Sequence, residues 1–588
     1  VGTGNSAGSL VAGNADLNGA AVVLDPVWQG NDTIGNASKA ALAFTNNNVN
    51  GLMTVGRNSV LSLGTDDTGK AEQAFAESEL TWGKTGVSAA LYVDQAQKLQ
   101  VQGGILLDGT KTAASAEANK ASFADGSLLI VNGSGIGTSG TAALTGGSGS
   151  TLTVNQGAKL YLTSTNAGTY TIAKGFANTT IDGWSWSADA AAVDVSVNKL
   201  SEIEKIEKNT ADGDFTVTVR QTDVQKKYDG IALPNILQAM DQSRTEYAGF
   251  KYLTDLANDN KLDKEGFIAA VNSFAQGAEN SGATRTGALA ALDLGTAVQE
   301  HLSLAKAAAE QSGGFGKAAV DTADNGGIWA QYIHNKDKVD NMGGVSYDGQ
   351  YNGVIIGGDF ADRGKYSSGI AFSYGSGDST GSASKNEFDF WGLSYYGGIQ
   401  NGDTNLIFDV GYSKTSSDVK GVIKAEPDTQ VISMGIKGEK VISNGHGTSY
   451  VPYAGLRYMN IDTDSYNGSI DGKTAAHYST DKADLWLLPV GISISHESVT
   501  AGGWKVRPTA DIAYVWTLGD KNTAMDITVP GVNATDRLGY DIMDSGFFVG
   551  KLGLEAEKGD WTYGLGYACQ KGSHAQNSKF MLNVTYSF

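Results

Sequence analysis

The sequence predicts a mainly β chain: a parallel β-solenoid portion, a helical linker, and a 12-stranded antiparallel β-barrel of the outer-membrane kind. Three observations predict it. The last ten residues, KFMLNVTYSF, alternate apolar and wetter positions without a break, which is the period of a strand with two unlike faces. Roughly eleven similar stretches lie upstream, back to about Gly326. The connections between them alternate short with long, the asymmetry of a barrel with tight turns on one side of a membrane and larger loops on the other. One alternating strand alone fits a soluble sheet equally well; position and company favour the membrane reading.

The chain has 588 residues, with 78 Gly, 7 Pro and a hydrophobic content of 41%. That length calls for two or more structural units, here read as 1–230, 231–282, 283–325 and 326–588. No apolar run reaches the ~18 residues of an ordinary membrane helix, a test that β-strands escape. A net charge of −20 argues against nucleic acid or anionic headgroups as the main partner. The single cysteine, Cys569, allows no internal disulfide and no cysteine-rich metal site, and no cofactor is expected. Beginning at Val1 without an initiator Met or a signal peptide, the chain reads as a processed or truncated product.

From Val1 to about Leu200 the sequence is rich in Gly, Ser, Thr, Asn and Ala, with short strand-like pulses. Ser59–Gly64, Lys98–Gly109, Gly126–Gly135 and Gly149–Leu162 are examples, each closed by Gly, Asn or Asp. A loose recurrence of roughly 20 to 30 residues suits the rungs of a right-handed parallel solenoid. A jelly roll or another sandwich is the alternative. Disorder fits less well, because Val, Leu and Ile recur regularly.

Past Ser201 the pattern changes. Glu202–Lys208 reads as a charged helix, and DFTVTVR (Asp214–Arg220) as one more strand. From Pro234 to about Gln276 the period becomes helical, with Pro234 suited to a first turn. Ile236, Leu237 and Met240, then Phe250, Leu253 and Leu256, then Phe267, Val271 and Phe274 mark two or three apolar faces. The NDNKLDKEG stretch between them lacks calcium-loop spacing and is assigned to a turn.

Ala283–Glu310 differs in kind, being dominated by Ala, Gly, Thr and Leu. Small side chains make a thin rod, and about 25 residues span about 37 Å, slightly more than a hydrocarbon core. A soluble amphipathic helix is the competing reading.

From Gly326 the aromatic content rises: 18 of the 24 Tyr lie in this last part. Such rings suit girdles at the two membrane interfaces. Strands are expected to begin near Gly326, Tyr347, Tyr366, Glu387, Thr404, Asp428, Tyr450, Asp484, Trp504, Tyr540, Trp561 and Lys579. Ile370, Phe372 and Tyr374, or Trp561, Tyr563, Leu565 and Tyr567, would face lipid, with Gly564, Gly566 and Ala568 on the other face. Asp337–Ser346, Gly377–Asn386, Ser416–Pro427, Asp462–Ala483, Gly519–Gly539 and Lys571–Ser578 read as the long external loops.

An even strand number puts both barrel ends in the periplasm. For residues before Gly326 to lie outside the cell, the chain must return through the lumen, and Ala283–Glu310 has the length and slenderness to do so. Its charges Arg285, Asp293, Glu300 and Lys306 then need partners on the inward face. Strand parity offers Arg457, Arg507, Asp511 and Glu555.

With YNGVIIGGDF (Tyr351–Phe360), GIAFSYG (Gly369–Gly375), YVPYAGLRY (Tyr450–Tyr458) and the terminal strand ending in Phe588, about Ala283 to Phe588 resembles the type Va, single-chain autotransporters of Gram-negative outer membranes. The region before it resembles, more loosely, the C-terminal part of a solenoid passenger. The resemblance implies that the barrel translocates and anchors its own passenger at the cell surface, amid outer-membrane lipid. It implies help from periplasmic chaperones and the barrel-assembly machinery, which in this family recognises a terminal strand similar to Phe580, Leu582, Val584, Tyr586 and Phe588. The helical insert at Pro234–Gln276 departs from the family. The intrabarrel asparagine cleavage of some members needs an Asn in the threading segment, and none lies between Ala283 and Asp324.

All six His residues (His301, His334, His446, His477, His496 and His574) lie in the threading helix or barrel, so no His-dependent nucleophile can be built in the first 300 residues. GDST at Gly377–Thr380 has a nucleophile-like pattern but no partner in sequence, and Asp66–Asp67 reads as a solvated turn. The expected passenger portion is therefore a non-enzymatic stalk or adhesin, with a host or cell-surface ligand as its further partner. The alternative is a translocator whose enzymatic part lies upstream of residue 1.

Overall fold

The computed structural model describes residues 119–304 and 327–587, except 147, 189–193, 210, 245, 260, 361–364 and 445. Before residue 119 it describes residue 117 and eight short strands between Ser9 and Leu107. The chain divides into two compact units, 1–272 with 531–534, and 273–530 with 535–588.

In the first unit the short strands pair in parallel, each with a strand one pulse further along the chain. One sheet runs from Ser9–Ala12 through Ser59–Leu63, Ser127–Asn132 and Lys159–Thr163 to Val195–Val197. Its register stacks Leu91, Leu129, Leu160 and Val195, all buried. A second parallel sheet stacks Leu107, Phe123, Val154 and Ile181. Like residues on like positions give a continuous apolar column that no single turn of chain could bury alone. This parallel stacking is the pairing of a solenoid more than of an antiparallel sandwich, although Gly168–Lys174 pairs in parallel with Ala142–Gly146 and antiparallel with Asp214–Gln221.

Two antiparallel strands, Ser201–Asn209 and Asp214–Gln221, follow. Glu202–Lys208 is thus a strand and not the expected helix. Its Ile203 and Ile206 are spaced as on a helix, but a register shift between Ile203 and Lys205 turns both toward the core. Helices Pro234–Ala239, Ala248–Asn258 and Lys264–Gln276 come next. The insert covers the last rung: Tyr161 donates to the Asn258 carbonyl at 2.6 Å, and the Asn258 side chain accepts from Ser164 N at 2.9 Å.

The second unit is a closed barrel of twelve antiparallel strands. They are β1 (Gly327–Met342), β2 (Val345–Asp359), β3 (Tyr366–Gly381), β4 (Ser384–Asn401), β5 (Thr404–Gly421), β6 (Asp428–Lys440), β7 (Thr448–Thr463), β8 (Ala483–His496), β9 (Lys505–Gly519), β10 (Gly546–Lys558), β11 (Trp561–Lys571) and β12 (Ala575–Ser587). The first and last strands close it, in register from Gly327–Ser587 to Val339–Ala575. Ile370, Phe372, Tyr374, Trp561, Tyr563, Leu565 and Tyr567 are exposed on the outer wall, as an apolar belt facing hydrocarbon requires. Inside, large rings settle over glycines. A Cβ on Gly357 would come within 2.2 Å of the Trp329 indole, so only a bare backbone fits there.

Several expected long loops are continued strand. Residues 337–342, 377–381 and 416–421 stay in the sheet, and β1 turns into β2 through Gly343 and Gly344 alone, at φ of +58° and +86°. Above the hydrocarbon a strand no longer needs apolar residues outside, so its alternation fades while its pairing continues. Two of the loops hold strands of their own. Tyr466–Ile470, Lys473–Thr480, Asn522–Thr528 and Thr535–Asp541 form a separate four-stranded sheet. Tyr540, expected to open the tenth barrel strand, belongs to that sheet, and β10 begins at Gly546.

Candidate functional site

A 19-residue helix, Ala283–His301, runs inside the barrel. Ala, Gly and Leu give it a narrow, nearly all-round buried surface from Ala283 to Val298. A Cβ on Gly295 would meet the Arg457 guanidinium at 2.1 Å, so the missing side chain lets β7 press its arginine against the rod. Gly282 precedes the helix at φ 71° and no N-cap side chain is present. Glu279 supplies the acceptor, taking Thr284 N at 3.3 Å and Thr284 Oγ1 at 2.7 Å, next to the positive end of the helix.

Polar contacts hold the helix along its length, each to a different part of the wall. Near its start, Arg285 donates to both Asp337 carboxylate oxygens on β1, at 2.9 and 3.0 Å, and to the Ile542 carbonyl at 2.9 Å. The bidentate geometry and burial of both partners fix the rotation of the helix as well as its height. At mid-height Asp293 accepts from Tyr351 at 2.6 Å and Asn335 at 3.2 Å, and pairs with Lys579 of β12. Lower down, Glu300 pairs with Lys551 of β10, and Gln299 donates at 2.7 Å to Asp409, itself bound bidentately by Arg457.

The foot of the helix rests on aromatic rings. His301 Nε2 lies 2.9 Å from Asp359, and its ring stacks on Trp329 with centroids 4.7 Å apart. Tyr396 donates to Asp359 at 2.7 Å and accepts from the Trp329 indole at 2.8 Å. The chain then leaves through Ser303, whose hydroxyl donates to Glu439 at 2.8 Å, and Asn405 binds the Leu302 carbonyl at 3.0 Å. On one flank the helix leaves a cavity of about 220 Å³, bordered by Asp293, Glu300, Tyr453, Asp511, Lys551 and Lys579.

Arg457, Arg507, Asp511 and Glu555 all line the lumen side, yet the partners that close the helix ion pairs are others. Asp337, Lys579 and Lys551 do so. Arg457 pairs with Asp409, Arg507 with Glu497 and Glu555, and Asp511 accepts from Tyr453 and Ser493. Strand parity finds the face but not the height at which a side chain meets the helix. Lys579 was legible, because the alternation of the terminal strand puts it on the inward face with Met581. Asp337 was not, since it falls in a segment that reads as a loop.

Phe580, Leu582 and Val584 stand exposed on the outer face of β12, and Tyr586, half-buried, packs on Trp561 with centroids 4.8 Å apart. Phe588 and Lys306 lie outside the described residues, as does the part of the expected threading segment after Leu304. The GDST stretch sits in β3, where buried Ser379 donates to the Ser281 carbonyl at 2.6 Å. It fastens the approach to the pore helix.

The family model for the autotransporter beta-domain matches residues 328–568. No curated protein matches the chain. Among solved structures, the translocator domain of the autotransporter NalP from Neisseria meningitidis aligns at 13% identity, TM-score 0.39, covering 52% of this chain and 96% of that one. The beta domain of the Bordetella autotransporter BrkA aligns at 17% identity, TM-score 0.36, with 45% and 100% covered. The transport unit of AIDA-I from Escherichia coli aligns at 14% identity, TM-score 0.35, with 45% and 90% covered.

Proposed function

From a chain whose C-terminal barrel is an autotransporter β-domain, a type V secretion translocator of the outer membrane, we propose that residues 1–230 are a non-enzymatic surface stalk or adhesin that stays tethered through the lumen. The observation that carries this reading is the pore helix. A segment fastened at Arg285, Asp293 and Glu300 to three different strands is a fixed tether. The first 300 residues hold no histidine, and the stacked rungs repeat small polar residues between buried Leu and Val columns, a composition suited to reach and contact more than to turnover. In this reading β12 is presented to the barrel-assembly machinery after delivery by periplasmic chaperones. The exposed part meets a host or cell-surface ligand, and nucleic acid and cofactors play no part.

Protease added to intact cells tests the topology. The portion before residue 272 should be digested while the barrel survives and still migrates as a folded species on unheated gels. A protected N-terminal portion above a correctly folded barrel overturns the proposal.

A further inference from the structure

On the outer wall beside the closing seam stands a group of lysines without acid partners. Lys336 and Lys338 point outward from β1, and Lys571 points outward from β11, on either side of β12. Register places Lys338 and Lys571 on one row, both opposite Gln576, with Lys336 one row lower opposite Ser578. Neighbouring strands are about 4.8 Å apart, so the two lysines of that row stand about 10 Å apart, within joint reach of one multiply charged anion.

Three other lysines of the same wall, Lys385, Lys414 and Lys420, are neutralised locally. Lys385 pairs with Glu387, Lys414 with Asp428, and Lys420 with both Asp418 and Glu387. Among the described residues no acid forms an ion pair with Lys336, Lys338 or Lys571. Two acids neighbour Lys338, Asp348 across β1–β2 and exposed Asp340 two residues further along β1; three lysines against these two leave the cluster net positive by one charge. For a chain of net charge −20, such a concentration of unmatched cations is a local feature.

The height of the cluster says what it faces. Phe580, Tyr567 and Tyr332 are exposed rings just below it, at the level of an interfacial girdle. Ser578 and Gln576 lie two and four residues beyond Phe580, about 7 and 13 Å along the strand. The wall strands open toward the long-loop side at this end, which is the outer leaflet.

Below Lys571 on the same outward face comes Cys569, and beside it a shallow apolar groove lined by Ile494, Ala510, Ile512, Gly550, Leu552 and Tyr567. Its floor is bare. A Cβ on Gly550 would meet only the Cys569 sulfur, at 3.6 Å.

We propose that this wall holds one phosphorylated acyl glycolipid of the outer leaflet, its phosphates on Lys336, Lys338 and Lys571 and an acyl chain in the groove floored by Gly550. Seated there, the lipid bridges the first and eleventh wall strands across the twelfth, at the seam where the first and last wall strands meet. The inference rests on the outer-membrane reading of the barrel, which heat-modifiable gel migration tests separately.

The probe is bisphosphorylated hexa-acyl lipid A, added to the detergent-purified full chain and read by native mass spectrometry. Enzymatically dephosphorylated lipid A should bind the unaltered protein roughly tenfold more weakly, or worse. The triple variant K336Q/K338Q/K571Q should lose binding to a similar degree. K385Q/K414Q/K420Q, which removes the paired lysines, should bind within about twofold of the parent. Gly550→Leu, which fills the groove without touching charge, should weaken binding severalfold. Equal affinity for the phosphorylated and dephosphorylated lipids overturns the proposal, and so does equal loss in the two triple variants.

Discussion

Arg285 and Asp337 show what a single pair contributes inside this barrel. Both are buried, so removing one partner strands the other's charge in a poorly solvated place. Asp337→Ala is expected to cost about 3–5 kcal/mol, seen as a lower temperature for loss of the folded gel form. Adding Arg285→Met should restore much of the loss; no restoration in the double variant sinks the pair as its cause. Glu279 carries a different signature. It sits before the helix, outside the wall strands, facing Tyr347, Tyr466 and Tyr540. Burial pushes its carboxyl up to about 7, against hydrogen bonds from Thr284 that pull it down. Because the folded state favours the protonated acid, this contribution to stability is fullest below the ordinary value of 4.5, falls as pH rises toward 7, and then levels. The span is about 3 kcal/mol. Thermal unfolding at pH 5 and pH 8 should differ accordingly, and Glu279→Gln should flatten the difference. An unchanged slope in Glu279→Gln assigns the pH effect to other groups.

Among elements, β12 is the one whose outer face the sequence made most legible. Tyr586 packs on Trp561 and pairs with Ile328 across the seam. Replacing Tyr586 by a polar residue, together with Phe588 beyond the described residues, removes the Tyr586 ring from the outer face of the strand that closes the barrel. The folded, surface-exposed product should fall severalfold on immunoblots of outer membranes, and unchanged amounts refute the expectation. Twelve strands, their outward faces and the thin rod were readable because burial against lipid and against small residues imposes strict periods. What escaped had no period to follow. Ile203 and Ile206 change faces through a bulge, Asp337 lies where the outer face has already turned polar, and Tyr540 sits in a short strand paired away from the wall. Ion-pair partners escaped for another reason: parity names a face, whereas a contact also needs the axial position of the helix.

For the whole molecule, the pore helix and its latches leave one side of the lumen only partly filled, by a cavity of about 220 Å³. Intact protein in planar bilayers should therefore conduct weakly but measurably, and a chain beginning after the helix should conduct several times more. Equal, large conductance from both places the helix outside the lumen in the membrane. The closing seam has a consequence in time. The partner of Gly327 is Ser587, so the earliest wall strand waits through the synthesis of every later one before its free edge is satisfied. Loop-closure entropy grows only slowly with this separation, but no shorter pairing can substitute for it. A product cut short by even one strand keeps two raw edges and no enclosed lumen, so its own passenger has no channel to cross. If residues 1–230 are the surface passenger proposed above, ring closure makes completeness of translation a precondition for export, the end of the message being read before its beginning is committed to the surface.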